Sequence, residues 1–139
     1  MTINYNTLGQ DVWDAIRTKL VEADLTATNS TNATTYKANI TSAHPDKVNN
    51  KPHVVINPID APESQFRFGG TEGKKFINVI IDVYTSNPVH LEQLADQIRT
   101  ELKKNDLGIN LVELSDATAF INPEFRKYHH KTITASYVE

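Results

Sequence analysis

Phe76-Ile77-Asn78-Val79-Ile80-Ile81-Asp82-Val83-Tyr84-Thr85, followed at once by Ser86-Asn87-Pro88-Val89-His90-Leu91-Glu92-Gln93-Leu94-Ala95-Asp96-Gln97-Ile98, decides the fold. Two periods meet in it. In the first part Ile77, Val79, Ile81 and Val83 alternate with Phe76, Asn78, Ile80, Asp82 and Tyr84. That is the period-two pattern of a strand with one apolar face and one mixed face. In the second part Leu91, Leu94, Ala95, Ile98 and Leu102 recur at helical spacing, which makes one apolar stripe. Asn87 suits the N-cap, where its side chain accepts a hydrogen bond from an orphan helix N–H, and Pro88 suits the first helical position. Lys103 and Lys104 suit the negative end of the helix dipole, and Gly108 the turn beyond it. The spacing predicts a strand over 76–85 and a helix over 88–104, apolar faces together.

Working outward, Leu8, Val12, Ile16 and Leu20 recur every four residues, with Ala15 and Ala23 beside them. They predict a helix over 8–24. Thr7 and Gln10 fit a capping box at its start. Trp13 lies at the edge of the stripe, as core or as a contact for another surface. Residues 25–35, rich in Thr, Asn and Ser, read as a loop. A strand is predicted over 36–41, a polar turn over 46–51, and a short strand over 53–57 bounded by Pro52 and Pro58. Residues 59–75, with Pro62, Gly69, Gly70 and Gly73, read as the longest irregular segment. Toward the C-terminus strands are predicted over 109–114 and 128–138, with 116–125 unassigned. In the last strand Ile133, Ala135 and Tyr137 share one face, and His130, Thr132, Thr134 and Ser136 the other. The whole reads as one α+β domain over residues 1–139: a mainly antiparallel or mixed sheet with two helices packed on one face.

The chain has 139 residues, 39% hydrophobic and 22% charged, with a formal net charge of −3. The length suits a single domain that needs no staples. A free-standing nucleic-acid binder shows a basic excess, which is missing here. There is no cysteine, so disulfides, thiolate catalysis and cysteine-based metal sites are excluded. Met1-Thr2-Ile3-Asn4-Tyr5-Asn6 does not read as a signal peptide, and no apolar run approaches the roughly 20 residues that span a bilayer. The expected setting is a cytoplasm, with no membrane partner. Sequons at Asn29, Asn32 and Asn39 are expected to carry no sugar there.

Catalytic patterns are weak. His129 and His130 are adjacent in a predicted strand and face opposite ways, so they do not easily share one metal ion. His44, His53, His90, His129 and His130 are expected at the surface or an interface. Ser86 and Ser115 read as residues at element ends, outside any Gly-x-Ser-x-Gly elbow. Gly69-Gly70-Thr71-Glu72-Gly73-Lys74-Lys75 departs from a phosphate loop: Gly69 stands one residue too close to Gly73, Lys75 holds the Ser/Thr place, and a strand follows. It reads as a hairpin loop. Glu92, Asp96 and Arg99 read as a solvated, partly ion-paired helix face. No catalytic, cofactor or metal residues are expected.

The same loop suggests contact with another protein. Phe66, Arg67 and Phe68 stand among Gly, Ser, Gln and Thr, and aromatics with Arg are favoured interface anchors. The alternative is that both rings tuck onto their own sheet. Arg67, Lys74 and Lys75 suit acidic partner groups or nucleic acid. Ile80 and Tyr84, on the mixed face of the 76–85 strand, suit a second subunit. The candidate interface residues are thus Phe66, Arg67, Phe68, Lys74, Lys75, Ile80 and Tyr84.

In element order the chain resembles the tail terminator (tail completion) proteins of tailed bacteriophages. The resemblance runs from about residue 8 to 138 and is carried by four parts. They are the amphipathic helix over 8–24, the strand Lys51-Pro52-His53-Val54-Val55-Ile56-Asn57-Pro58, the 76–85 strand running into its capped helix, and the closing strand Lys131-Thr132-Ile133-Thr134-Ala135-Ser136-Tyr137. Residues 25–35 are longer than that pattern expects. The resemblance implies a structural virion protein of the tail or neck, assembled in the host cytoplasm. It implies a homo-hexameric ring on the tail tube protein that stops polymerisation and offers a docking surface to the head–tail connector, while genomic DNA passes through the lumen unread. A closed ring needs two different faces on each subunit. The alternatives are another neck or head–tail joining protein, and a small α+β enzyme or ligand-binding domain, which would gather His and carboxylates in one cleft.

Overall fold

A computed structural model describes residues 8–28, 34–42, 52–58, 63–66, 72–119 and 129–138. Two helices, α1 (Leu8–Glu22) and α2 (Pro88–Lys103), pack on one face of a mixed sheet. The architecture is α+β, as the pattern predicts. Eight strands are described: β1 (Thr26–Thr28), β2 (Thr35–Lys37), β3 (Asn39–Thr41), β4 (His53–Ile56), β5 (Glu63–Phe66), β6 (Glu72–Thr85), β7 (Asn110–Ala119) and β8 (His129–Val138). The main sheet runs β3-β4-β6-β8-β7, with β5 also paired to β6. Its β3–β4 pair is parallel and every other pair antiparallel.

β6 is the axis of this sheet. Ile77, Val79, Ile81 and Val83 are buried against the helices, in one core with Ile133, Ala135 and Tyr137 of β8. α2 contributes Leu91, Leu94, Ala95, Ile98 and Leu102, and α1 contributes Val12, Ile16 and Leu20. Each Leu or Ile so buried is stabilised by roughly 1.5–3 kcal/mol. That burial holds α2 in place, since a helix of its length is marginal alone. The Asn87 side chain accepts from Val89 N at 2.9 Å, so the predicted cap is formed. Gly108, at φ 88°, takes the left-handed turn that leads into β7. Trp13 packs at the core's edge and its Nε1 donates to Ile56 O at 3.0 Å, tying α1 to β4.

Several expectations change. The first helix ends at Glu22, because Asp24 turns left-handed at φ 55°. The predicted loop over 25–35 contains β1, which pairs antiparallel with β2 in a separate two-stranded sheet. The single strand expected over 36–41 is two, divided at Ala38: β2 pairs with β1, and β3 with β4. The irregular 59–75 segment contains β5 and the first residues of β6, joined antiparallel. β7 continues to Ala119, so Ser115 lies inside a strand rather than at its end. The expected N-cap Thr7 and the turn over 46–51 lie outside the described residues.

Candidate subunit-contact face

Both helices cover one face of the main sheet, and the strand register defines what the other face presents. Across β6, β8 and β7 the outward rows are Asn78–Ser136–Glu113, Ile80–Thr134–Ser115 and Asp82–Thr132–Ala117, with Tyr84–His130 beyond them on β6 and β8. Asn78, Ile80, Glu113, Ser115 and Ala117 are exposed. Within the first row Ser136 Oγ donates to Asn78 Oδ1 at 2.7 Å. This half of the face is open, small and mostly polar, with Ile80 at 42% exposure as its apolar centre. Among the described residues the flanking strand β7 forms the sheet's edge. It carries a register shift between Leu111 and Glu113, where Val112 is exposed.

The other half of the face is closed. Val55, Asp82 and Tyr84 are buried there. Asp82 is the hub: Oδ1 lies 2.7 Å from His130 Nε2 and accepts from Thr132 Oγ1 at 2.7 Å, and Oδ2 accepts from Asn57 Nδ2 at 2.7 Å. Burial alone would raise the pKa of Asp82. The hydrogen bonds from His130, Thr132 and Asn57, with the His130 charge, outweigh it and hold the carboxyl at about 2. The His130 ring stacks on Tyr84 at 4.3 Å, with 14° between the planes.

A His beside a carboxylate and a hydroxyl invites comparison with a nucleophilic triad. In a triad the imidazole bridges, one nitrogen to the carboxylate and the other to the nucleophile. Here Asp82 and Thr132 both approach the same Nε2, Thr132 at 3.3 Å, and the Thr132 hydroxyl donates to Asp82. The hydroxyl is thus directed at the carboxylate and is not activated by the ring. The cluster ties β4, β6 and β8 together. Among the described residues no group of three or more His, Asp or Glu is placed to hold a metal ion. A groove of about 390 Å³ beside α1, lined by Lys19, Glu22 and Asp106, has its cation engaged: Lys19 Nζ lies 2.5 Å from Asp106 Oδ1.

On the helix side Lys131 Nζ lies 2.5 Å from Glu92 Oε1 and 3.9 Å from Asp116 Oδ2, while Arg99 pairs with Asp116 and Asp96. The ion-paired α2 face read from Glu92, Asp96 and Arg99 is therefore present, and it fastens α2 to β7 and β8.

The candidate interface residues divide between the two halves and beyond. Ile80 stands on the open half. Tyr84 is buried, so its ring serves the closed half through His130. Phe66 ends β5, and Lys74 and Lys75 lie in β6. Arg67 and Phe68 lie outside the described residues, as do the side chains of Phe66, Lys74 and Lys75. The expectation of surface histidines fails at His90, which is 3% exposed. Asn78 shares the face of Ile80 by period alone, whereas Ser115, Thr134 and Ser136 join them only once the register is known.

No known protein-family model matches the chain, and no curated protein matches it. Among the described residues no helix is long and apolar enough to cross a membrane.

Proposed function

We propose that the chain is a structural subunit of the tail terminator kind, joining copies of itself into a ring that caps a phage tail tube and receives the head connector. The observation that carries this reading is the division of the main sheet. One face is sealed by α1 and α2, while the other leaves the half around Ile80 uncovered, bordered by the ten-residue strand β7, which among the described residues ends the sheet. Long unpaired edges are usually shortened or covered in proteins that stay single. An open face and a separate edge are two different surfaces, which is what head-to-tail closure of a ring requires. The element order behind the resemblance also persists: α1, then β4, then β6 leading into α2, then β8.

The Asp82–His130 pair is the observation that favours an enzyme. Its geometry serves strand cohesion, as the shared Nε2 indicates. Native mass spectra over a concentration series, with negative-stain images and copurification with tail-tube protein, test the proposal. Hexameric rings, or capture by the tube, are expected. A chain that stays monomeric in the presence of tube and does not copurify with it overturns the reading.

A further inference from the structure

His90 is the third residue of α2 and is buried, yet among the described residues neither Nδ1 nor Nε2 has a hydrogen-bond partner. Its ring lies 5.6 Å from that of Tyr36 in β2, at 47° between the planes. A neutral imidazole carries one N–H, and a buried donor left without a partner costs about 1–3 kcal/mol. A phenyl ring would fill the same space without that cost. What the imidazole adds is the capacity to take a proton.

The surroundings oppose that proton. Burial pushes the pKa of His90 below its ordinary 6.5, and the positive end of the α2 dipole acts in the same direction. Among the described residues no carboxylate stands ready to receive an imidazolium. β1 offers only Thr26, Ala27 and Thr28, and the core face of β6 offers Ile77, Val79, Ile81 and Val83. β8 presents Lys131, bound to Glu92 of α2; β7 presents Asp116, bound to Arg99; α1 presents Lys19, bound to Asp106. β2 brings Tyr36 and Lys37, and Lys37 Nζ is 3.3 Å from Asp24.

The element above His90 lies outside the main sheet. The β1–β2 hairpin shares no ladder with the main sheet. Ala27 anchors it in the core, and it is held to α2 by Gln93 and Gln97, which bond the main chain of Thr28 and Thr26, and by the contact of His90 with Tyr36. We infer that His90 is an acid-labile latch: a proton taken from solvent drives the ring out from beneath Tyr36 and frees the β1–β2 hairpin from the first half of α2. This inference stands apart from the ring reading.

The test is amide exchange and histidine ring NMR on the full chain between pH 7.5 and 5. The His90 ring is expected to titrate below 6.5. At pH 5.5, one unit below the open-state value, opening is favoured by up to about tenfold, the full factor being reached only if the closed state takes no proton there. After correction for intrinsic exchange, Thr26, Ala27 and Tyr36 amides therefore lose up to about tenfold in protection, while Val79 and Ile81 amides hold theirs. His90→Phe and the neutral polar variant His90→Gln both remove the pH dependence, so the result survives if one of them folds poorly. A ring that titrates at or above 6.5, or an unchanged acid loss in His90→Gln, overturns the inference.

Discussion

Gln97 meets the main chain of Thr26 twice: its Oε1 accepts from Thr26 N at 3.1 Å, and its Nε2 donates to Thr26 O at 2.7 Å. Gln93 does the same at Thr28, at 2.8 and 3.2 Å. The spacing explains the match. Residues four apart on a helix advance about 6 Å, and residues two apart on a strand nearly 7 Å. Two carboxamides one helical turn apart therefore stand in for a neighbouring strand along one edge of β1. Because these bonds are partly buried, Gln93→Ala and Gln97→Ala are each expected to cost about 1 kcal/mol, with a denaturant midpoint that falls at constant slope. Each variant should also speed amide exchange at its own threonine first. Unchanged midpoints in both variants would show that water replaces the carboxamides at no cost.

Asp82 carries an acid-side prediction. Its folded pKa of about 2 lies below the unfolded 3.8, so its contribution is fully present above about pH 4. It is lost as the pH falls through 3.8 toward 2. The amount is about 2 kcal/mol. Unfolding free energies measured from pH 7 to pH 2 should fall by that much more in the natural chain than in Asp82→Asn. Parallel curves would mean that the carboxylate gains nothing from His130, Thr132 and Asn57.

Much of this fold was legible, and the misses share a cause. The 76–85 strand and its capped helix could be read because their apolar residues keep one period over ten residues or more. β1 could not, since Thr26-Ala27-Thr28 is three residues long and its stabilising partners Gln93 and Gln97 are 65 and 71 residues away. Gln at i and i+4 is also ordinary on any solvated helix face, so it gave no signal. His90 did give one: it stands four residues before Leu94 and eight before Ile98, on the apolar stripe, but histidine as a residue type argues against full burial. The open half of the candidate face depends on register. Ile80 and Ser115 share a row only because both pair with Thr134, and pairing between distant strands is not written in local period.

Ile80→Lys separates assembly from folding. The Ile80 side chain lies on the open half of the sheet at 42% exposure, so a lysine there should leave the melting temperature of the isolated chain within about 2 °C, the usual scale for a surface change. A charge placed in a subunit contact should abolish ring formation or tube capture. Changing Phe66, Arg67 and Phe68 together to Ser examines the contact expected of them in the same way. Collapse of thermal stability in that variant would assign its rings to the core, and rings persisting in Ile80→Lys would remove the open face from the contact.

Tyr137 makes the opposite kind of prediction, a substitution that helps. Its ring is part of the core at 1% exposure, and among the described residues its hydroxyl has no hydrogen-bond partner. Burial, with the nearby Asp106 charge, pushes the phenol up to about 12. The ionised form is thus disfavoured in the fold, so stability is complete below the ordinary value of 10 and declines as the pH rises from 10 toward 12. Tyr137→Phe removes both burdens, the orphaned hydroxyl and the alkaline loss. At neutral pH it should be neutral to about 1 kcal/mol more stable, because an unpaired buried hydroxyl contributes only a desolvation cost. The gap over the natural chain should then widen above pH 10. A Phe variant that is clearly less stable at pH 7 would show that the hydroxyl is satisfied in solution, with a bridging water as the simplest partner.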